Sequence, residues 1–219
     1  MKSLGIYFDD IHSFYDLDLF LNRNGVEIPP AQPKTNFVDI VGGNGSHDLT
    51  EVHGEVKFYD RSCKFTFTMN PASNMTFEEK KTQVSNALNG KTCKITLDKD
   101  EDYYYKGRCA VNEFMQDRRL MQFVVTATVH PYKYKQNETV MKFALSDEQK
   151  TVNIKNGRKT VVPEITCTDD NTMIVVGQTS YSLTAGTHKI LDIQFKEGNN
   201  QLKLSGTGTI TFTWQEGDL

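Results

Sequence analysis

The feature that most constrains the fold is a train of short alternating segments in the last third of the chain. They cover residues 160–168, 172–176, 179–183, 188–195, 201–204 and 207–214, and turn-forming pairs such as Gly177-Gln178 and Ser205-Gly206 separate them. In the last segment Ile210, Phe212 and Trp214 alternate with threonines, so one face points into a core. Strands repeating roughly every ten residues with hairpin turns predict a small antiparallel β-sandwich over residues 149–219.

The first part of the chain predicts a second β-rich domain, over residues 1–135, joined to the sandwich by a polar linker at 136–148. We expect strands at residues 4–8, 16–21, 38–41, 55–60, 63–69, 92–97, 103–110 and 120–130. The clearest is 63–69, where Cys63, Phe65, Phe67 and Met69 share one face. A polar loop is expected at 112–119, before the 120–130 strand. The predicted fold class is therefore mainly β.

One helix is predicted, at about residues 77–89. Thr76 stands three residues before Glu79, which is the spacing of a capping box. Phe77, Val84 and Leu88 share one face at helical spacing, and Asn89-Gly90 provides a stop.

Charge and composition exclude several classes of protein. The 219 residues carry a net charge of -3, with a pI near 6.0, which disfavours binding nucleic acid by neutralising phosphates. No apolar run approaches the ~20 residues of a membrane span, and the N-terminus lacks the apolar core of a signal peptide. We therefore expect synthesis in a cytoplasm, with no membrane insertion.

The four cysteines are expected to be reduced thiols in the core. No two have CxxC spacing, and Cys63, Cys93 and Cys109 alternate with apolar residues. A zinc site therefore has no support in the sequence, and Cys167 follows the same interpretation.

A search for catalytic or metal-binding residues finds two weak candidates. The first is a cluster of potential ligands, His47, Asp48, Glu51 and His53, whose spacing matches no known metal motif and favours a solvated hairpin edge. The second, the acidic run 98–102, lacks the glycine and terminal glutamate of an EF-hand loop and favours a charged hairpin tip. No nucleotide-binding or hydrolase motif is present. We expect no enzyme activity, no cofactor and no metal.

Two tyrosine clusters leave alternatives open. They are Tyr103-Tyr104-Tyr105 and the pair Tyr132 and Tyr134. Amphipathic rings of this kind pack in cores and subunit interfaces, which we favour, or stack on sugars. A carbohydrate-binding module that uses these tyrosines or Trp214 is therefore the alternative function.

The order of several short features resembles the distal tail proteins of siphophages that infect Gram-positive bacteria. The features are His12-Ser13, Leu17-Asp18-Leu19, Pro29-Pro30, Val38-Asp39-Ile40 running into Gly42-Gly43-Asn44-Gly45, Ala87-Leu88-Asn89-Gly90, and an acidic-aromatic segment that ends in Gly107-Arg108. The resemblance covers residues 1–135, and the C-terminal strands resemble the galectin-like, carbohydrate-module-like sandwich of the same family. Val41 departs from the family pattern, in which we expect proline before the glycine turn.

The resemblance implies a structural virion protein at the tail tip. N-terminal domains would form a homohexameric ring, and the sandwiches would radiate outward. Implied partners are the tail tube protein, the tail-tip protein and, in many phages, a receptor-binding protein. Sequence-specific binding of nucleic acid is not implied. Our candidates for the ring interface are Gly42, Gly43, Asn44, Gly45, Tyr103, Tyr104, Tyr105, Arg118 and Arg119.

Overall fold

The chain folds into two compact units, Met1–Lys133 and Tyr134–Leu219. A computed structural model describes residues 4–52, 54–117 and 120–219, without the side chains of Glu113, Gln116, Asp117 and Leu120. Strands dominate both units, and the described residues contain one α-helix. The predicted mainly β fold class is confirmed. No helix of the described ranges is long and apolar enough to cross a membrane.

The first unit is built around one antiparallel sheet. Its strands are β1 (Ile6–Phe8), β2 (Ile11–His12), β3 (Leu19–Glu27), β4 (Phe37–Asp39), β5 (Ser46–Asp48), β6 (Arg61–Met69), β7 (Thr92–Leu97), β8 (Tyr103–Asp117) and β9 (Leu120–Val129), and helix α1 (Phe77–Leu88) follows β6. Seven of these strands run in the order β2-β1-β7-β8-β9-β6-β3, and β4 and β5 form a separate two-stranded sheet. The sheet therefore has β2 at one edge and β3 at the other.

The core of this unit follows from alternation along its central strands. Phe65 and Phe67 on β6 are fully buried and stand opposite Val125 and Phe123 on β9. The helix covers this core, with the ring of Phe77 5.5 Å from that of Phe123. Branched and aromatic side chains on one face of paired strands supply the apolar burial that drives folding.

The capping box predicted for the helix is present. The backbone N–H of Thr76 donates to Glu79 Oε2 at 2.8 Å, and Thr76 Oγ1 accepts from the Glu79 N–H at 3.3 Å. The bonds that the Thr76 N–H and the Thr76 hydroxyl donate to the Glu79 carboxylate lower the pKa of Glu79 below its ordinary value. The predicted helix is confirmed, with its last helical residue at Leu88 and Asn89 as the cap.

A buried lysine attaches the helix to the N-terminal segment. Lys80 is 2% exposed, and its Nζ donates to the Leu17 carbonyl at 3.0 Å and to Gln83 Oε1 at 2.9 Å. Burial lowers the pKa of this amine. The segment around Leu17 is thereby held against the helix by a polar contact inside the core.

The His12-Ser13 pair has a structural role. The His12 ring is 1% exposed; its Nδ1 accepts from the N–H groups of Phe14 and Tyr15 at 3.2 and 3.1 Å. Nε2 therefore carries the proton and donates to Asp98 Oδ2 at 3.2 Å. Ser13 Oγ accepts from the Ile6 N–H at 3.1 Å. The pair thus fixes the first hairpin and connects it to the end of β7.

Two predictions for the first unit were wrong. Strand β8 continues to Asp117, through residues that we predicted to form a polar loop. The hydrogen bonds that pair it with β9 join backbone groups, so side chains such as Asn112 and Met115 can remain exposed along the strand. Residues 55–60 form no strand; Phe58 makes only an isolated antiparallel bridge to Pro33, which has no N–H for a continued ladder. Arg118 and Arg119 lie outside the described residues.

The second unit is a sandwich of two four-stranded antiparallel sheets. After β10 (Lys133–Lys135), its eight strands are β11 (Thr139–Ala144), β12 (Lys150–Asn156), β13 (Glu164–Cys167), β14 (Thr172–Val176), β15 (Thr179–Leu183), β16 (Gly186–His188), β17 (Gly198–Ser205) and β18 (Thr209–Trp214), and a last short strand, β19 (Gly217–Asp218), pairs with β10. The sheets are β11-β18-β13-β16 and β12-β17-β14-β15. Phe195 and Phe212 are fully buried between them, with ring centroids 5.7 Å apart.

The sandwich also differs from the prediction in three places. Strand β11 lies inside the predicted linker 136–148 and pairs with β18, because Met141 and Phe143 alternate towards the core. Strand β12, at residues 150–156, was not predicted. The segment predicted as a strand at 188–195 is irregular beyond His188, and only Phe195 makes a bridge, to Val161.

All four cysteines are buried free thiols. Burial raises the pKa of Cys63 to about 11, and it raises the pKa of each of the others. Their predicted place in the core is confirmed, and a raised pKa keeps them in the unreactive thiol form.

Candidate interaction site

The two weak metal candidates are structural elements. His47 and Asp48 lie on the exposed strand β5, and hydrogen bonds from Thr50 lower the pKa of Asp48. In the acidic run, Asp98 accepts from the Gly5 N–H at 2.7 Å, and Asp100 accepts from Lys133 Nζ at 2.8 Å. No cluster of three or more potential ligands is placed to hold a metal among the described residues, which leave out His53.

The tyrosines of β8 are covered by cations of the same chain. Lys94 Nζ lies 4.8 Å from the ring centroid of Tyr104, which is 7% exposed, and Lys133 Nζ lies 4.0 Å from that of Tyr103. The guanidinium of Arg61 lies 5.2 Å from the Tyr105 ring, and burial raises the pKa of Tyr105. A cation therefore lies against each ring, and Tyr104 is buried as well. Their place in a ring interface stays a prediction.

Trp214, the other aromatic candidate for sugar stacking, belongs to the sandwich core. It is 3% exposed, and its Nε1–H donates to Asn156 Oδ1 at 3.0 Å. Its ring packs edge-on against Phe195, with centroids 5.0 Å apart. The core position that alternation along β18 predicted for Trp214 is confirmed, so this ring is not exposed for the alternative of sugar stacking.

The most distinctive surface of the first unit is a β-ribbon formed by residues 32–52 and 54–59, which we call the arm. Its two legs are joined by backbone bonds: Tyr59 N–H donates to the Gln32 carbonyl at 2.9 Å, and Lys34 N–H donates to the Lys57 carbonyl at 2.7 Å. Farther out, Val38 pairs with His47 in the β4–β5 hairpin. The arm is therefore held together mainly by its own ladder.

The arm ends in the glycine turn that we predicted as an interface candidate. Gly42 and Gly45 have φ of +75° and +84°, a region that favours glycine. The Ile40 N–H donates to the Gly45 carbonyl at 3.3 Å and closes the turn. The structure thus brings Gly42, Gly43, Asn44 and Gly45 together at the tip, beside a fully exposed Val41.

Apolar side chains are exposed along the arm. They are Phe37, Val38, Ile40, Val41, Leu49 and Val52, with exposed fractions from 37% to 101%. None of them belongs to either hydrophobic core. Grouped exposed apolar side chains are typical of surfaces that bind proteins, membranes or ligands.

Sequence reasoning chose the glycine turn as an interface candidate, which stays a prediction, and did not consider the apolar legs of the arm. The signal was present: apolar residues occur on both legs, while residues 35–56 contain no lysine or arginine and carry Asp39, Asp48, Glu51 and Glu55. A solvated loop of ordinary composition would not combine exposed apolar side chains with one sign of charge.

A groove lies beside edge strand β3. Its volume is about 550 Å³, and it is lined by Leu4, Leu21, Asn22, Arg23, Asn24, Val26, Glu27 and Lys99. The pairing of β3 with β6 shifts register between Leu21 and Val26, so the residues between them bulge from the ladder. Gly25 permits this close approach, since a Cβ there would lie 2.3 Å from the Thr66 carbonyl oxygen.

Comparison with known proteins identifies the fold. No protein-family model matches the sequence, and no curated protein matches it. Among solved structures, the chain matches the Dit (gp 19.1) protein of SPP1 with a TM-score of 0.68 and 14% identity, over 98% of this chain and 99% of that one. That protein is described as a paradigm of the hub of the adsorption apparatus in phages infecting Gram-positive bacteria. The chain therefore has the fold of a phage hub protein.

Proposed function

We propose that this protein is a distal tail hub, a structural virion component that joins a phage tail tube to the tail-tip and host-adhesion device. Three observations support the proposal. The fold matches a phage hub protein over nearly its whole length. The ordered features of residues 1–135 resemble distal tail proteins. The arm presents an apolar surface that its own chain leaves uncovered.

The exposed apolar side chains of the arm are the observation that best supports self-assembly of this chain. A two-stranded ribbon has no second layer to cover its apolar side chains, so they are buried when another protein packs on them. Contacts between unlike surfaces of identical subunits close into a ring when the rotation between neighbours allows it. We infer that first units associate through the arm into a homohexameric ring, with sixfold order taken from the family resemblance.

The remaining parts of the proposal follow from that assembly. The ring would contact the tail tube protein on one side and the tail-tip protein on the other, at the virion tail tip. The two units act as separate domains, and the sandwich is the candidate docking site for a receptor-binding protein. We propose a structural role because the fold matches that of a phage hub protein. The alternative of a sugar-binding module is weakened because Trp214 and Tyr104 are buried.

Native mass spectrometry and negative-stain electron microscopy of the full chain test the proposal. We expect a species of six times the chain mass and rings of sixfold symmetry at high protein concentration. Phe37→Ser should abolish the ring, because Phe37 is a large exposed apolar group of the arm, whereas Leu191→Ser should leave it unchanged. Antibody labelling of virions should mark the tail tip. A label elsewhere, or a ring of another order, would contradict the assignment.

A further inference from the structure

We propose that the tip of the arm docks in the groove beside β3 of a second copy of this chain. The inference rests on the proposed ring and identifies the surface that receives the arm. A hairpin with exposed apolar side chains can bury them against an apolar surface, and the lining of the groove beside β3 includes the apolar residues Leu4, Leu21 and Val26. The two surfaces belong to the same chain, so one kind of contact repeats around a ring.

The charges of the two surfaces are complementary. Arg23 and Lys99 line the groove, and neither forms an ion pair within the described residues. The one carboxylate in the lining, Glu27, pairs with Lys64 at 3.6 Å. The outer arm carries carboxylates at Asp39 and Asp48 and no cation. An acidic apolar tip therefore fits a cationic apolar groove.

The groove is open in the single chain. No residue of the arm lines it, so the arm does not fill the groove of its own copy. From residue 32 to 41 the extended arm spans roughly 30 Å. A compact unit of this size has a radius of gyration of about 14 Å, so the arm is long enough to reach an adjacent copy.

Strand β3 lies at the edge of its sheet, which is a further reason to expect that a second copy covers it. Beyond β6 no strand of the described residues pairs with β3, and the bulge at Asn22 and Arg23 interrupts its outer ladder. Edge strands with exposed apolar neighbours are normally covered in stable assemblies. An arm seated here would cover Leu4, which is 48% exposed, and Leu21.

Crosslinking between two variants of the full chain tests the docking. One variant carries Val41→Cys at the tip and the other Asn24→Cys at the groove rim; both positions are exposed, and the four native thiols are buried. A short bismaleimide should join the mixed variants into a covalent dimer. Val41→Cys mixed with Leu191→Cys, an exposed site of the sandwich, is the matched control. Equal crosslinking in the two mixtures would overturn the docking.

Charge reversal provides a second readout. We expect Arg23→Glu/Lys99→Glu to weaken self-association about tenfold or more, and Asp39→Lys/Asp48→Lys to do the same. Mixing the two double variants should restore association. Rings that form with no loss in either double variant would overturn the docking while leaving the hub proposal intact. A wild-type chain that stays monomeric at every concentration would overturn both.

Discussion

The arm and the sandwich are both antiparallel hairpin structures with apolar residues along their strands. These apolar residues are buried in the sandwich and exposed on the arm. On β18 of the sandwich, Ile210, Phe212 and Trp214 are all buried. On the arm, Phe37 and Val38 are 58% and 47% exposed. The strands of the two regions contain similar types of residue. They differ in whether a second sheet packs against their apolar side chains.

The sandwich has a second sheet to receive each apolar face, whereas the arm has only its other leg. Two strands paired edge to edge satisfy backbone hydrogen bonds but leave both faces in water. Burial of apolar surface contributes about 25 cal/mol per Å², so the sandwich gains within one chain the energy that the arm can gain only from a partner. The sandwich, which is stable within its own chain, and the arm, which we propose is used in assembly, thus have the same kind of secondary structure.

The largest effect should come from Phe212→Ala. This fully buried ring contacts Phe195 and Phe143, so its loss leaves a cavity and should lower the free energy of unfolding of the sandwich by about 3–5 kcal/mol. Urea denaturation measures it, followed by the fluorescence of Trp214, the single tryptophan, for the sandwich and by far-ultraviolet circular dichroism for both units. Phe37→Ala on the arm is the matched control and should change stability by less than about 0.5 kcal/mol. Similar losses for both phenylalanines would break the comparison.

An intermediate effect should come from the buried polar contact of the first unit. Lys80→Met keeps the apolar volume but leaves the Leu17 carbonyl without its donor, which should cost about 1–3 kcal/mol. Hydrogen exchange of the α1 amides measures the loss. Lys81→Met, one position along on the exposed side, should cost less than about 0.5 kcal/mol. If both substitutions are neutral, the contact with Leu17 does not stabilise the helix.

A smaller effect is expected for Thr76→Ala, at about 1 kcal/mol, through loss of the N-cap. The partner, Glu79, has its folded pKa lowered, so its ionised form favours the folded state at neutral pH. That contribution should be lost as the pH falls below the ordinary value towards the folded pKa. Helical circular dichroism of Glu79→Gln against wild type across this range checks the sign. A difference that grows on acidification would contradict it.

The smallest effect on folding should come from Val41→Ser at the arm tip. The side chain is fully exposed in the single chain, so the free energy of unfolding should change by less than about 0.5 kcal/mol. Self-association should nevertheless weaken, and sedimentation velocity on the same samples measures it. A large loss of stability in the monomer would mean that the arm already packs within its own chain, and the contrast with the sandwich would fail.

Several features of this protein were determined by local sequence. The capping box of Thr76 and Glu79 and the alternation of β6 and β18 predicted the helix, the mainly β class and the core positions, because each depends on residues a few positions apart. The ordered motifs of residues 1–135 also pointed to the phage hub fold that the structural comparison found.

Other features were decided by contacts between distant residues. Asp98 lies 86 positions from His12, and Leu17 lies 63 from Lys80, so no local pattern indicated that these polar groups would be buried. The strand at Thr139–Ala144 became recognisable only with β18 beside it. The same apolar residue types became core in the sandwich and exposed surface on the arm, because burial depends on whether a second layer is present, and tertiary structure alone supplies that layer.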